Sequence, residues 1–385
     1  MAAFDWIHDE LASLEQAGLR RSVRCCEPLP GGRCRIEGQT LVNLASNDYL
    51  GLASDPRVIA AGVAALQQSG SGARASALVS GRGPLHVALE RALSQFERTE
   101  AAVLFPTGYA ANLGVIAALV EAGDTVLCDR LNHASLIDGC RLSGAKLRVY
   151  SHTDLTGLES ELEKSRPSRR RLIVTDSVFS MDGDLAPLSQ LVNLADDYKA
   201  MLVVDEAHAT GIFGPTGRGL HEELTGNRAH CLVIGTLSKA IGSQGGFVAG
   251  SQAVCDWIRN RARTQLFSTG LTPAACGTAL AALEIIDREP ERRSRVHDQA
   301  QQLRSALRSA GHQPLGDERC PIVPLIIGDP VEAVRWSIRL MDQGYLVPAI
   351  RPPTVPNGGS RLRISLTADH PPDALQGLVT ALRSS

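Results

Sequence analysis

At 385 residues the chain is too long for one ordinary hydrophobic core, which predicts a large domain with a smaller partner and excludes a lone binding module. Hydrophobic residues make up 44% and charged residues 21%, an ordinary globular composition far from that of disordered chains. Lys and Arg number 39 against 41 Asp and Glu, a net charge of -2, so no overall field exists to hold nucleic acid or another polyanion.

The start carries Asp5, Asp9 and Glu10 where a secretory signal would need a basic end and an apolar run, which predicts a cytoplasmic protein. Residues 1–45 read as helical, then as a short strand near Thr40–Leu44, and are expected to pack against the smaller domain. Residues 46–285 form the expected large domain. From about 100 to 250, β-branched runs alternate with longer amphipathic ones, the grammar of an α/β fold with a mostly parallel sheet. The predicted strands are Ala102–Phe105, Thr125–Cys128, Lys146–Tyr150, Leu172–Thr175, Met201–Asp205, Cys231–Gly235 and Gly246–Ala249. Several are apolar at nearly every position, as strands covered on both faces must be. Helices are predicted at Ala110–Ala122, Leu136–Leu142 and, after Pro187, Leu188–Tyr198. Residues 286–385 change to a smaller α+β domain, with a charged helix over Glu289–Ala310, strands near Ile322–Ile327 and Arg361–Leu366, and an amphipathic end at Asp373–Leu382.

The longest apolar stretches, such as 113–120, fall far short of the roughly 20 residues that span a bilayer, so no membrane segment is expected. Nine cysteines are scattered without a C-x-x-C pair and read as reduced, mostly buried small hydrophobes. Ten histidines show no zinc spacing, so no metal is expected. The basic run at 166–172 and the trio Arg259, Arg261 and Arg263 read as solvated surface, with docking of an acidic carrier as the sharper alternative.

In an open α/β sheet, ligands collect at the carboxyl ends of strands. There the strand 201–204 runs into Asp205-Glu-Ala-His208, and the next strand runs into Thr236-Leu-Ser-Lys239. An acid at a strand end is also an ordinary helix cap, and a lysine there can simply reach for water. Upstream, Phe105-Pro-Thr-Gly-Tyr109 joins a strand to a helix whose free N–H groups can hold a phosphate. An Asn-His pair follows another strand at 132–133. Together these are the parts needed to hold pyridoxal 5'-phosphate. Asp205 would keep the pyridine nitrogen protonated, Lys239 would carry the aldehyde, and His133 would lie against the ring. His208 and Ser180 would bond the ring hydroxyl.

The segments SVFSMDGDLAPL, VVDEAHATGIFGPTGRG, GTLSKAIGSQGGFVAG, ASNDYLGL (45–52) and IRPPTVP (350–356) resemble the α-oxoamine synthases, of the fold-type-I pyridoxal-phosphate enzymes. The resemblance implies an acyltransferase working as a homodimer with shared active sites. Gly108, Tyr109 and Thr236 would contact the phosphate, and Thr269 would reach the phosphate of the neighbouring subunit. Arg351 would clamp the amino-acid carboxylate, Asn47 would lie near the reacting carbonyl, and Thr354 with Arg20, in preference to Arg21, would face the acyl substrate. Within the family the acidic dipeptide at 205–206 and the ending at 350–370 point to the branch that condenses L-alanine with a pimeloyl thioester, on acyl carrier protein or coenzyme A, in biotin synthesis. A sister branch joins glycine to acetyl-CoA. One departure lies in the glycine-rich turn at 69–81, where Arg74, Ala75 and Ala77 stand in place of smaller residues. A dinucleotide-type match over Gly70–Ala75 follows a helical pattern instead of a strand, and so carries no weight.

Overall fold

The computed structural model describes residues 3–224 and 231–383. The chain divides into two compact units, one of Met1–Tyr49, Met181–Asp184 and Ser294–Ser385, the other of Leu50–Ser180 and Leu185–Arg293. Among the described residues, no helix is long and apolar enough to cross a membrane.

The larger unit is built on a seven-stranded sheet whose order is Ala101–Phe105, Gly246–Gly250, Cys231–Thr236, Met201–Asp205, Arg171–Asp176, Thr125–Asp129, Lys146–Tyr150. All seven strands stand where the apolar runs predict them. Gly246–Gly250 is antiparallel to both neighbours, and the other pairings are parallel. The central strands are buried at nearly every position, because helices cover both faces; this is why they read as continuous apolar runs. Val103, Phe105, Val115, Ile116, Leu172, Val174, Val203 and Ile234 form the core of this unit. Register places Asp176 beside Asp205, and Asp205 beside Ile234, so the carboxyl ends of three neighbouring strands share one edge.

The smaller unit has a three-stranded antiparallel sheet in the order Ile322–Gly328, Ser360–Ser365, Ala349–Ile350. Helices Pro330–Asp342 and Pro372–Arg383 belong with it, and Leu303, Leu307, Val323, Leu340, Ile364 and Leu378 fill its core. The N-terminal segment departs from its expected helical form. Only Trp6–Gln16 is helical; Glu27–Leu29 and Arg33–Ile36 then pair as a hairpin before the strand Gln39–Asn43. Gly31 and Gly32, at φ of 73° and 63°, turn that hairpin, and the alternating burial of Arg33–Ile36 is the period-two signal that the helical reading overlooked. Gly32 also admits the close approach of His370, whose Cδ2 would stand 2.4 Å from a Cβ there.

Among the described residues no cysteine is in a disulfide; six are buried, but Cys25 and Cys26 are exposed, since the segment joining helix to hairpin lies on the surface. In the glycine-rich turn, Arg74 adopts φ of 66°, the left-handed conformation that glycine would hold without strain, and its guanidinium bonds the Ser69 carbonyl at 3.0 Å. The preceding segment, Pro56–Ser69, is a helix, so the dinucleotide-type match lacks its strand.

Candidate active site

The site in the larger unit grows from the strand ends. Thr107 caps the helix Gly108–Leu119 by accepting from the Ala110 N–H at 3.0 Å, which leaves the first amides of that helix free for an anion. Across from it, Thr236 ends its strand with its hydroxyl donating to the Gly245 carbonyl at 3.0 Å and 2.7 Å from the Ser238 hydroxyl. Gly108 is needed here: a Cβ would lie 3.2 Å from the Thr236 Cβ. Gly246 is under tighter constraint, since its Cβ would lie 2.5 Å from the Thr107 carbonyl oxygen and 2.7 Å from the Gly108 N. Substituting Gly246→Ala must therefore push the Thr107–Gly108 turn outward. The expected result is cofactor affinity reduced by about tenfold or more, equivalent to ~1.4 kcal/mol, read by fluorescence titration of the apoprotein.

Asp205 is buried and held from two sides. Asn112 Nδ2 donates to its Oδ2 at 2.6 Å, and the Ala207 N–H donates to Oδ1 at 2.8 Å. Three residues on, buried His208 has its Nε2 2.7 Å from Lys239 Nζ. Asp176, on the adjacent strand, accepts from the His133 N–H at 2.6 Å. Its burial and then the charge of Asp205 push its pKa well above the usual carboxylate range. His133 is exposed and caps the helix Ala134–Leu142, its side chain accepting from the Ser135 N–H. Desolvation, and then the charge of Lys239, hold its pKa below the ordinary histidine value against the opposing pull of Asp205. Tyr109 stands edge-on to that ring, centroids 6.2 Å apart, with its hydroxyl bonded to Asp138.

Beneath the Asp205–His208 turn, the Glu206 carboxylate accepts from Ser177 Oγ (2.6 Å), the Leu220 N–H (3.0 Å), the His221 N–H (2.8 Å) and His221 Nδ1 (3.0 Å). Glu97 lies 3.1 Å from the other ring nitrogen of His221. The two carboxylates raise the His221 pKa to about 10 despite its burial, and the ring ties the turn at Glu206 to the end of the helix Pro84–Glu97.

Ser180 is half-buried just past the bridge between Val178 and Leu185, and Thr269 is exposed after the short helix Arg263–Leu266. The remaining predicted residues belong to the smaller unit. Arg351 donates to the carbonyls of Gly18 and, at 3.5 Å, Arg20; the Thr354 N–H bonds the Arg351 carbonyl at 3.1 Å. Asn47 Oδ1 accepts from both terminal nitrogens of Arg363 at 3.2 Å. The Arg20 side chain turns back to Glu15 at 3.1 Å, and Arg21 reaches the Pro352 carbonyl at 3.3 Å.

Sequence reasoning missed Asn112, Ser135 and Asp176. Asn112 was detectable as the one amide inside an otherwise apolar helix, a costly choice without a task. The basic clusters are engaged at home. Arg166 pairs with Glu163, Arg169 with Asp124 and Glu121, Arg171 with three carbonyls, and Arg259 with Asp256 and the Ala102 carbonyl. Arg261 and Arg263 lie over Trp257 and Phe267.

The family model for aminotransferase class I and II matches residues 39–382. The chain belongs to this family. It is 45% identical over 365 residues to an 8-amino-7-oxononanoate synthase 2 of Bacillus subtilis, covering 95% of this chain and 93% of that one. It is 46% identical over 380 residues to an 8-amino-7-oxononanoate synthase of Anaeromyxobacter sp. strain K, covering 99% and 95%. Among solved structures, a serine palmitoyltransferase from S. paucimobilis superposes with a TM-score of 0.93 at 33% identity, over 99% of this chain and 96% of that one. An 8-amino-7-oxononanoate synthase from Francisella tularensis gives 0.78 at 26% identity, over 89% and 97%. The fold is thus that of the fold-type-I pyridoxal-phosphate enzymes. The residues present fit this cofactor: the space that a Cβ on Gly108 would fill opens the helix start, and a buried carboxylate and a lysine stand on adjoining strand ends.

Proposed function

We propose that the protein is a pyridoxal-phosphate-dependent acyltransferase of the cytoplasm that condenses L-alanine with a pimeloyl thioester to give 8-amino-7-oxononanoate in biotin synthesis. The observation that carries the reading is the complete lysine, carboxylate and helix-start set, in a chain 44–46% identical over nearly its whole length to synthases of that name. The reaction joins the alanine α-carbon to the pimeloyl carbonyl, expels the carrier thiol and releases carbon dioxide.

The helix start at Gly108 and the Thr236 hydroxyl hold the phosphate, with Tyr109 beside them. The Asp205 carboxylate holds a proton at the ring nitrogen; when bound, pyridoxal phosphate supplies the electron sink that makes the alanine α-proton removable. Lys239 Nζ takes that proton and returns it, and His208 at 2.7 Å gives Nζ a partner for the transfer. Ser180 bonds the ring hydroxyl along with His208. Arg351 takes the alanine carboxylate, for which a planar bidentate cation suits better than lysine. Asn47 and Thr354 serve the acyl substrate, with one of the pair Arg20 and Arg21. Steady-state kinetics with alanine or glycine against pimeloyl-CoA, pimeloyl acyl carrier protein and acetyl-CoA tests the reading. Turnover confined to glycine and acetyl-CoA would overturn it.

The functional unit in this reading is a homodimer in which Thr269 completes the phosphate cup of the other subunit. The exposure of Thr269 supports this. Mixing Lys239→Ala chains with Thr269→Ala chains then restores activity, because half of the hybrid's sites are intact. Hybrids that form yet stay as inactive as their parents would contradict the shared site.

A further inference from the structure

A continuous set of hydrogen bonds joins Asp205 to the ring of His133. Asn112 Nδ2 lies 2.6 Å from Asp205 Oδ2 and 2.8 Å from Ser135 Oγ; Ser135 Oγ in turn lies 2.6 Å from His133 Nδ1. Asn112, Ser135 and Asp205 are 1%, 0% and 5% exposed, so water does not compete for the bonds among these three. The directions follow from valence. An amide oxygen facing the Asp205 carboxylate at 2.6 Å would be repelled, so the amide NH2 faces it, even though Asn112 Oδ1 is then left buried without a partner. The same NH2 donates its second hydrogen to Ser135 Oγ. The Ser135 hydroxyl, already an acceptor, sends its own hydrogen to His133 Nδ1. The Ser135 backbone N–H points at that nitrogen too, at 3.4 Å.

A ring nitrogen that receives two donors carries no hydrogen of its own. We propose that Asn112 and Ser135 are positioning residues that hold His133 as the neutral tautomer with its hydrogen on Nε2, making the ring a fixed hydrogen-bond donor in the active site and linking its state to Asp205. The role given to His133 as the ring lying on the cofactor rests on the function proposed above; the tautomer does not. Other charged or titratable groups facing this ring are Lys239, Asp138, Asp176 through the His133 backbone, and Tyr109 at its edge. Losing the Ser135 hydroxyl removes a donor that favours the unprotonated Nδ1, so the His133 pKa rises.

The test uses holoenzyme labelled with 15N in histidine, and long-range proton–nitrogen spectra assigned with His133→Asn. The expected wild-type signal is an unprotonated Nδ1 and a protonated Nε2 from about pH 6 to 9, the range in which a free histidine would titrate. Ser135→Ala is expected to mix the tautomers, lower kcat by about tenfold or more with KM for alanine little changed, and move the acid limb of the kcat profile to higher pH. Ser135→Thr, which keeps the hydroxyl, restores all three. A wild-type ring carrying hydrogen on Nδ1, or Ser135→Ala with unaltered tautomer and pH profile, would overturn the proposal. If instead no acyl transfer is found while the tautomer signal stands, the function fails and the hydrogen-bond assignment survives. Thermal melts separate either result from misfolding.

Discussion

Replacing Lys239 by alanine is expected to reduce turnover by at least about a thousandfold, since in the proposed function the residue carries both the covalent hold on the cofactor and the proton transfer. Two observations set this expectation. Lys239 follows directly on the buried strand Cys231–Thr236, where an unpaired ammonium would be costly, and its Nζ is matched by His208 Nε2 at 2.7 Å. Truncation removes a half-buried side chain outside the strand, so the melting temperature should move by only about 2–4 °C. Borohydride reduction of the wild-type holoenzyme followed by peptide mapping should mark Lys239. Cofactor fixed on another lysine, or a Lys239→Ala variant that keeps turning over, would remove this residue from its role.

Asp205→Asn should leave cofactor binding in place but slow exchange of the alanine α-proton with solvent deuterium by about a hundredfold or more, the scale seen when a preorganised charge is removed from a site. The carboxylate raises the proton affinity of the ring nitrogen; an amide does not. A stability effect accompanies this. Asp205 accepts from both Asn112 and the Ala207 N–H, whereas an asparagine has one oxygen for the two donors and must turn its NH2 toward one of them. That mismatch costs about 1–3 kcal/mol. The Asp176 carboxyl should titrate lower in the variant, because one of the charges that raises its pKa is gone. Proton exchange is measured by NMR on alanine and stability by denaturant melts. Unchanged exchange would mean that the ring nitrogen is held by some other group.

The seven strands of the large sheet were legible because burial on both faces demands apolar residues at consecutive positions, a local signal that survives without any tertiary context. The candidate cofactor residues were legible for a related reason. Asp205, His208, Thr236 and Lys239 break apolar runs at their ends, and a charged group at that point of a buried strand has few purposes. The N-terminal hairpin was misread although Gly31 and Gly32 marked its turn; its strands are only three and four residues long, too short for the alternation to stand out against the helix before them.

The sequence by itself determined the fold class, the family resemblance and the candidate polar groups at the strand ends, since each depends on residue type and order along short segments. Which groups touch which was decided by the tertiary structure. Asn112 lies 93 residues from Asp205, Glu97 more than 120 from His221, and Asp176 becomes a partner of Asp205 only because their strands are neighbours in register. Arg21 meets the Pro352 carbonyl across 331 positions of the chain. The tautomer of His133 and the raised pKa of Asp176 follow from the same cause: a proton's place in a buried site is set by the donors and charges within a few ångströms, and only folding brings those together.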